Sequence, residues 1–552
     1  MTQPPPPNQP PQQPGFGPPQ PPGQSPQGPP IPPPGYGYPG QQPNPYAQPA
    51  PPYGQAPNPY GPQGGYGYPQ QAVPPPPQGQ GGRKGNAQVA IIVSAVVAVA
   101  LIVGGGVWYA NSGKSYGKKD HTANSSGGDA SPKGDEKAPA NTASRVLYQI
   151  PMPKVDDTTA VAGSWLTDKA YVKSGVAEIN GWDRDKGSKL WTIKLPGPVC
   201  TTSKYTTDDG RTAVVFQPRT PPKGRTAGCT RVAAIDLNAG RMLWSKAVDS
   251  GDRPITFDNV TVSGTTVAVG GTSGGAAFDL ASGRRLWAPK ATDTCYDAGY
   301  GGGPKLVAVR KCGPYGQRQL HIQTIDPASG KVISEYRMSQ GIEYAAVVST
   351  NPLVVAADVG NSAGDGSGIS DFFSIDDRTG KLLTRISAPG KQYAARCDDI
   401  SVIEHCSGLA VGNGRLYIPT EQHDGSGQFS RTNEIVAFDL TTGRQTGQRA
   451  DAGNGYTITP LRMDGGNVIA YKRPPYDKGG QIVSIDGGSF KETKLLENPS
   501  TQSVRDAEAT MSPDFSEILY GQGHLYMSGV YADKPSGASD RKYLALAFGT
   551  TG

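Results

Sequence analysis

Residues 182–191 read Trp-Asp-Arg-Asp-Lys-Gly-Ser-Lys-Leu-Trp. The frame returns at 235–244, Ile-Asp-Leu-Asn-Ala-Gly-Arg-Met-Leu-Trp, and at 278–287, Phe-Asp-Leu-Ala-Ser-Gly-Arg-Arg-Leu-Trp. An apolar residue is followed by Asp, a Gly comes four places later, and a Trp four places after that. The three copies supply Asp183, Gly187, Trp191; Asp236, Gly240, Trp244; and Asp279, Gly283, Trp287. The Trp then drops out while the frame persists, at Ile325-Asp326…Gly330, Ile375-Asp376…Gly380 and Phe438-Asp439…Gly443. Ile485-Asp486 is a worn copy, and the terminal Ala547–Gly552 echoes 437–443 with one residue deleted. Successive Asp positions lie 53, 43, 47, 50, 63 and 47 residues apart.

The unit is a hairpin with local chemistry. An apolar run such as Val232–Ile235 reads as a strand. The Asp ending it accepts backbone N–H groups in an Asx-turn. The Gly supplies positive φ, and the returning strand carries the Trp. A large ring there needs a wall to bury it against. The hairpin cannot provide one, so copies must stand side by side. Repeats of this length without helical periodicity predict an all-β fold, a β-propeller of four-stranded blades. The 408 residues from 145 to 552 accommodate eight blades, and seven motifs plus the terminal echo give the same number. Seven blades is the alternative, and a solenoid ranks third because its repeats are usually shorter.

The Asp-x-x-x-Gly-x-x-x-Trp spacing resembles the tryptophan-docking motif of the pyrroloquinoline-quinone-like (PQQ-like) β-propeller repeat family, over about residues 155–552. That family includes quinoprotein dehydrogenases and the propeller lipoprotein of outer-membrane assembly. The resemblance implies that the docking Trp and turn Asp residues are structural. The family's dehydrogenases hold their quinone with two adjacent cysteines and a carboxylate-bound calcium. No two cysteines are adjacent here, so no cofactor residue carries over.

Outward from the repeats the composition changes. Residues 1–86 form a tail rich in Pro, Gly, Gln and Tyr. Its first 82 residues lack Asp, Glu, Lys and Arg and hold 31 of the chain's 54 prolines, a composition that predicts disorder. Residues 87–110 contain the uncharged run Val89–Tyr109, long enough to span a membrane as one helix. Residues 111–144 read as a flexible linker, and 145–552 as the propeller domain.

The six cysteines, Cys200, Cys229, Cys295, Cys312, Cys397 and Cys406, all lie in that domain. Their even number and location predict disulfides in an oxidising compartment, with sequential pairing favoured. Lysines follow the span as closely as Arg83 and Lys84 precede it, so charge does not settle orientation. The cysteines favour a cytoplasmic N-terminus and an extracytoplasmic propeller. Tail and single span together resemble many actinobacterial membrane proteins.

Catalytic patterns are weak. Gly271-Thr272-Ser273-Gly274-Gly275 matches a nucleophile elbow, but a strand rather than a helix follows, so it reads as a hairpin loop. Adjacent carboxylates at 208–209, 376–377 and 398–399 read as solvated turns. Asp358, Asn361 and Asp365 offer oxygen ligands for calcium without an EF-hand spacing. The net charge of +6 comes without a basic cluster, which argues against nucleic acid. The expectation is a membrane-anchored binding or scaffold propeller for a cell-envelope protein or ligand, with no catalytic residue, metal or cofactor assigned. A quinone-dependent dehydrogenase and an extracellular sensor are the alternatives. Oligomeric state is left open.

Overall fold

The computed structural model describes residues 136–550, except 251, 291, 315, 361, 363–367, 398–401, 428–429 and 535–541. The chain divides into two units, 1–113 and 114–552, and every described residue belongs to the second. The expected tail and membrane span therefore lie outside the described residues. No helix among the described residues is long and apolar enough to cross a membrane.

The domain is an all-β propeller of eight four-stranded blades, antiparallel throughout. Blades 1 to 7 run in chain order. Their first strands are Ser164–Leu166, Val199–Thr202, Asn259–Ser263, Cys295–Gly301, Ala346–Thr350, Ala410–Gly412 and Thr457–Asp464. Blade 8 takes three strands from the C-terminal end, Ser516–Gly521, His524–Gly529 and Tyr543–Thr550. Its outermost strand is Ser144–Pro151, the first strand of the domain, with Ile150 opposite Ala545 and Val146 opposite Phe548. This closes the ring.

Burial falls from the hub outward. In blade 5 the strands Ala346–Thr350, Leu353–Ala357 and Asp371–Ile375 are buried at every position, while Leu382–Ser387 is mostly exposed. Inner strands pack a neighbouring blade on both faces, so they read as continuous apolar runs rather than alternating ones.

The buried side chains fall into eight clusters, one at each blade–blade interface. The cluster between blades 5 and 6 has 18 buried residues, that between blades 2 and 3 has 16, and that between blades 8 and 1 has 11. The cluster between blades 3 and 4 has six: Ala268, Ala277, Tyr300, Leu306, Ala308 and Ile325. Three of those six are alanines.

The repeat turns form as their residues require. The carbonyls of Asp183, Asp279, Asp326, Asp376 and Asp439 accept the N–H of the Gly four places on, at 2.8–3.0 Å. The frame glycines have φ between 62° and 70°. The rings cross to the next blade. A Cβ on Gly240 would overlap the Trp191 ring, and one on Gly283 would sit 2.8 Å from Trp244. Trp244 also donates its Nε1–H to the Leu280 carbonyl at 2.8 Å.

The end of the expected linker is docked. Glu136 is buried between blades 7 and 8, accepting Arg462 Nη2 at 2.6 Å and the Gln522 N–H, while its own N–H donates to Asp464 Oδ2 at 2.6 Å. The Thr142 carbonyl accepts the Glu497 N–H just before the first strand begins. Of the stretch 111–144, Glu136, Thr142 and Ala143 are thus tied to the propeller, Arg462 and Asp464 giving the carboxylate and backbone of Glu136 a buried partner set.

Candidate ligand-binding site

The thin interface between blades 3 and 4 carries a half-open cavity of about 510 Å³. One wall is the loop Thr272–Gly275, the Gly-x-Ser-x-Gly segment, lying between Thr266–Gly270 and Ala276–Asp279 of blade 3. It is a hairpin loop, as the following strand predicts. Gly274 has φ +101°, and a Cβ on Gly275 would overlap the Tyr300 hydroxyl, so the loop backbone lies directly on that ring. The opposite wall comes from blade 4: Ala308 and Arg310 on its second strand, Gln323 and Ile325 on its third.

A fixed polar array lines the cavity. The Tyr300 hydroxyl donates to Asp297 Oδ2 at 2.5 Å and accepts Trp287 Nε1–H at 3.1 Å. Arg310 Nη1 donates to Asp297 Oδ1 at 2.6 Å, and its Nη2 pairs with Asp293. Burial pushes the Tyr300 hydroxyl well above its ordinary range, reinforced by the charge of Asp297, so it stays a donor at neutral pH. Backbone N–H donation from Cys295 leads the causes that hold the Asp293 carboxyl below its usual range, with Arg310 adding to it. The site thus holds two carboxyl groups, one guanidinium bonded to both and an indole whose N–H is already used. The Cys295–Cys312 disulfide joins the first two strands of blade 4 at the rim.

The six cysteines form three disulfides: Cys200–Cys229, Cys295–Cys312 and Cys397–Cys406. This is the sequential arrangement, with no bond between neighbouring residues. The third loop reaches the inner strands. Ile403 packs in the core of blades 4 and 5, and Glu404 accepts the Gly302 N–H at 2.7 Å. Burial raises the Glu404 carboxyl and lowers the nearby Lys204 ammonium, each partly opposed by the other's charge. The Glu404 bond to Gly302 ties the inserted loop to blade 4.

The Trp and Asp residues of the frame split in role. Trp191 and Trp244 serve the blade contact. Trp287 does so more loosely, a Cβ on Gly330 lying 3.1 Å from it, and it also faces the cavity. Asp183, Asp236 and Asp279 each accept N–H groups within their own turns. Among the described residues no three His, Cys, Asp or Glu side chains gather as a metal site, and Asn361, Asp365 and Asp398–Asp399 lie outside those residues. Asp358 accepts the N–H and hydroxyl of Ser362.

Residues 96–294 match the profile of a family described as outer membrane protein assembly factor BamB, a span that includes all three Trp-bearing repeats. No curated protein matches the chain. Similar solved structures include BamB from Moraxella catarrhalis, at 12% identity over 73% of this chain and 99% of that one, with a TM-score of 0.36. A quinohemoprotein alcohol dehydrogenase from Comamonas testosteroni shares 12% identity over 75% of this chain and 76% of its own, with a TM-score of 0.40. The C-terminal WD40 domain of Sif2 shares 9% identity over 74% and 99%, with a TM-score of 0.42.

Proposed function

We propose that this chain is a single-pass membrane protein whose propeller stands outside the membrane and binds a cell-envelope protein or ligand without catalysing a reaction. Residues 87–110 are its anchor and the N-terminal tail is cytoplasmic. The observation that carries the reading is the interface between blades 3 and 4. Among the described residues, seven interfaces of the ring carry 11 to 18 buried core residues and this one carries six, with a cavity of mixed polar and apolar lining beside them. A repeat architecture that departs from its own packing rule at one place points to a site at that place. Asp293, Arg310, Asp297, Tyr300 and Trp287 are bonded in one chain, an arrangement suited to holding a ligand rather than to moving protons. The three disulfides suit an oxidising compartment.

The test is photo-crosslinking in cells making the full chain. A photoreactive residue in place of Lys290, at the cavity rim, is expected to capture one envelope component. The same residue in place of Asp506, on the short helix between blades 7 and 8, is expected to capture none. Equal capture from both positions, or none from Lys290, would overturn the reading. So would oxidation of alcohols or sugars by the full chain supplied with pyrroloquinoline quinone and calcium.

A further inference from the structure

We infer that the cavity between blades 3 and 4 takes a neutral oligosaccharide segment, with sugar C–H faces on Trp287 and hydroxyls on Asp297 and Arg310. The inference rests on the binding role proposed above and names the ligand class for the same site. Charge narrows the choice first. The charged residues of the lining are Lys290, Asp293, Asp297 and Arg310, two of each sign. Two fixed carboxylates oppose a phosphate or carboxylate ligand, and Arg310 with Lys290 opposes a cation. A purely apolar ligand would cover Asp297, Arg310 and Gln323 without answering their hydrogen-bonding groups, which costs binding energy.

A neutral polyol satisfies all of these groups. Each Asp297 oxygen has one strong bond, Oδ1 to Arg310 and Oδ2 to Tyr300, and a carboxylate oxygen accepts two. One lone pair per oxygen therefore remains for a hydroxyl donor. Arg310 spends one N–H on each carboxylate, and a guanidinium has five. The array is pre-set, because Arg310 holds Asp297, Asp297 holds Tyr300, and Tyr300 fixes the Trp287 indole through its N–H. The face of that indole is thereby kept as a platform, since rotating the ring would break the bond to Tyr300. At about 510 Å³ the cavity lies within the range that small-molecule sites occupy.

The experiment uses the full chain in lipid nanodiscs, since glycoside detergents would compete. Cellotriose, maltotriose and chitotriose are offered separately, with saturation-transfer NMR as the readout. At least one trisaccharide is expected to receive saturation. Asp297→Asn is expected to weaken its binding at least ten-fold. Because Asp297 also braces Tyr300, a second variant leaves the internal contacts alone. Ser273→Trp, on the exposed loop, would fill the cavity mouth and is expected to abolish transfer. Absence of transfer from all three sugars at millimolar concentration overturns the proposal, as does undiminished binding by Ser273→Trp. If the sugars fail while Lys290 still captures an envelope component, the ligand class is wrong and the binding role stands. If both fail, both fall.

Discussion

The contacts made by blades 1 and 2 differ from those made by blades 4 and 5, although the turns that make them share one geometry. In the first pair an indole from one blade lies flat on the frame glycine of the next, as Trp191 does on Gly240. In the second pair the Trp position holds a hydroxyl residue and the blades meet backbone to backbone. Ser334 Oγ donates to the Asp377 carbonyl at 2.6 Å, and a Cβ on Gly380 would overlap the backbone of Glu335. A Cβ on Gly443 would sit 2.6 Å from Thr384 Oγ1. Between blades 6 and 7 the pair is inverted. Gly447 occupies the ring position, and Phe490 occupies the glycine position at φ +60°. The Phe490 ring packs against Tyr417 of blade 6 at 5.9 Å. The glycine-type turn is therefore the repeating requirement, and the group laid against it varies.

The sharpest way to break this comparison is Gly240→Ala. Positive φ and a Cβ inside the Trp191 ring together should cost roughly 2–6 kcal/mol. Gly264→Ala, at φ +56° with open space around it, should cost only about 1–2 kcal/mol. Denaturant midpoints would show it, and equal shifts would refute the docking role of Gly240. Next in size is Phe490→Gly. Losing the ring costs about 3–5 kcal/mol, offset by about 1–2 kcal/mol of relieved backbone strain. Gly447→Trp should then restore stability in the Phe490→Gly background and destabilise the parent. A double-mutant cycle with no coupling would show that the two positions do not share one space.

Ser334→Ala should cost about 1 kcal/mol, the worth of a single hydrogen bond. A loss as large as that of Phe490→Gly would mean that blades 4 and 5 depend on the hydroxyl rather than on backbone contact. The smallest effect concerns acid. The Ser329 hydroxyl leads the donors that hold the Asp326 carboxyl below its usual range, and the Thr379 N–H leads those on Asp376. A carboxyl lowered in the folded state adds stability that is present above its unfolded pKa, near pH 4, and lost as pH falls through the folded value. Ser329→Ala should therefore move the acid-unfolding midpoint upward by about a few tenths of a pH unit. No movement would remove these turns from the pH response.

The eight-bladed ring was legible because Asp and Gly at fixed spacing impose their turn locally, whatever packs on it. A second local signal accompanied five of the turns, a Ser or Thr three places after the Asp. Ser282, Ser329, Thr379, Thr442 and Ser489 each donate to that Asp Oδ1. Blade 7 looked worn because Phe490 stands where only a glycine is expected. The strand Ser144–Pro151 carries no frame at all, since its partner arrives from the far end of the chain. The cavity was not legible. Trp287 has the same local pattern as Trp191, and Asp297 and Arg310 stand at no informative spacing. Only the pairing of their strands in blade 4 and the alanines behind them produce the site. The docking of Glu136 was hidden for a similar reason, its partner Arg462 lying in blade 7.

The closing strand has a consequence for biosynthesis. Pro151 leaves the ribosome about 390 residues before Tyr543, its partner across the sheet. At roughly 5–20 residues per second that is a delay of about 20–80 s. Throughout this interval the nascent chain exposes an unpaired edge beside seven blades able to form in sequence, so attendance by a holdase during synthesis would fall most heavily on this one segment.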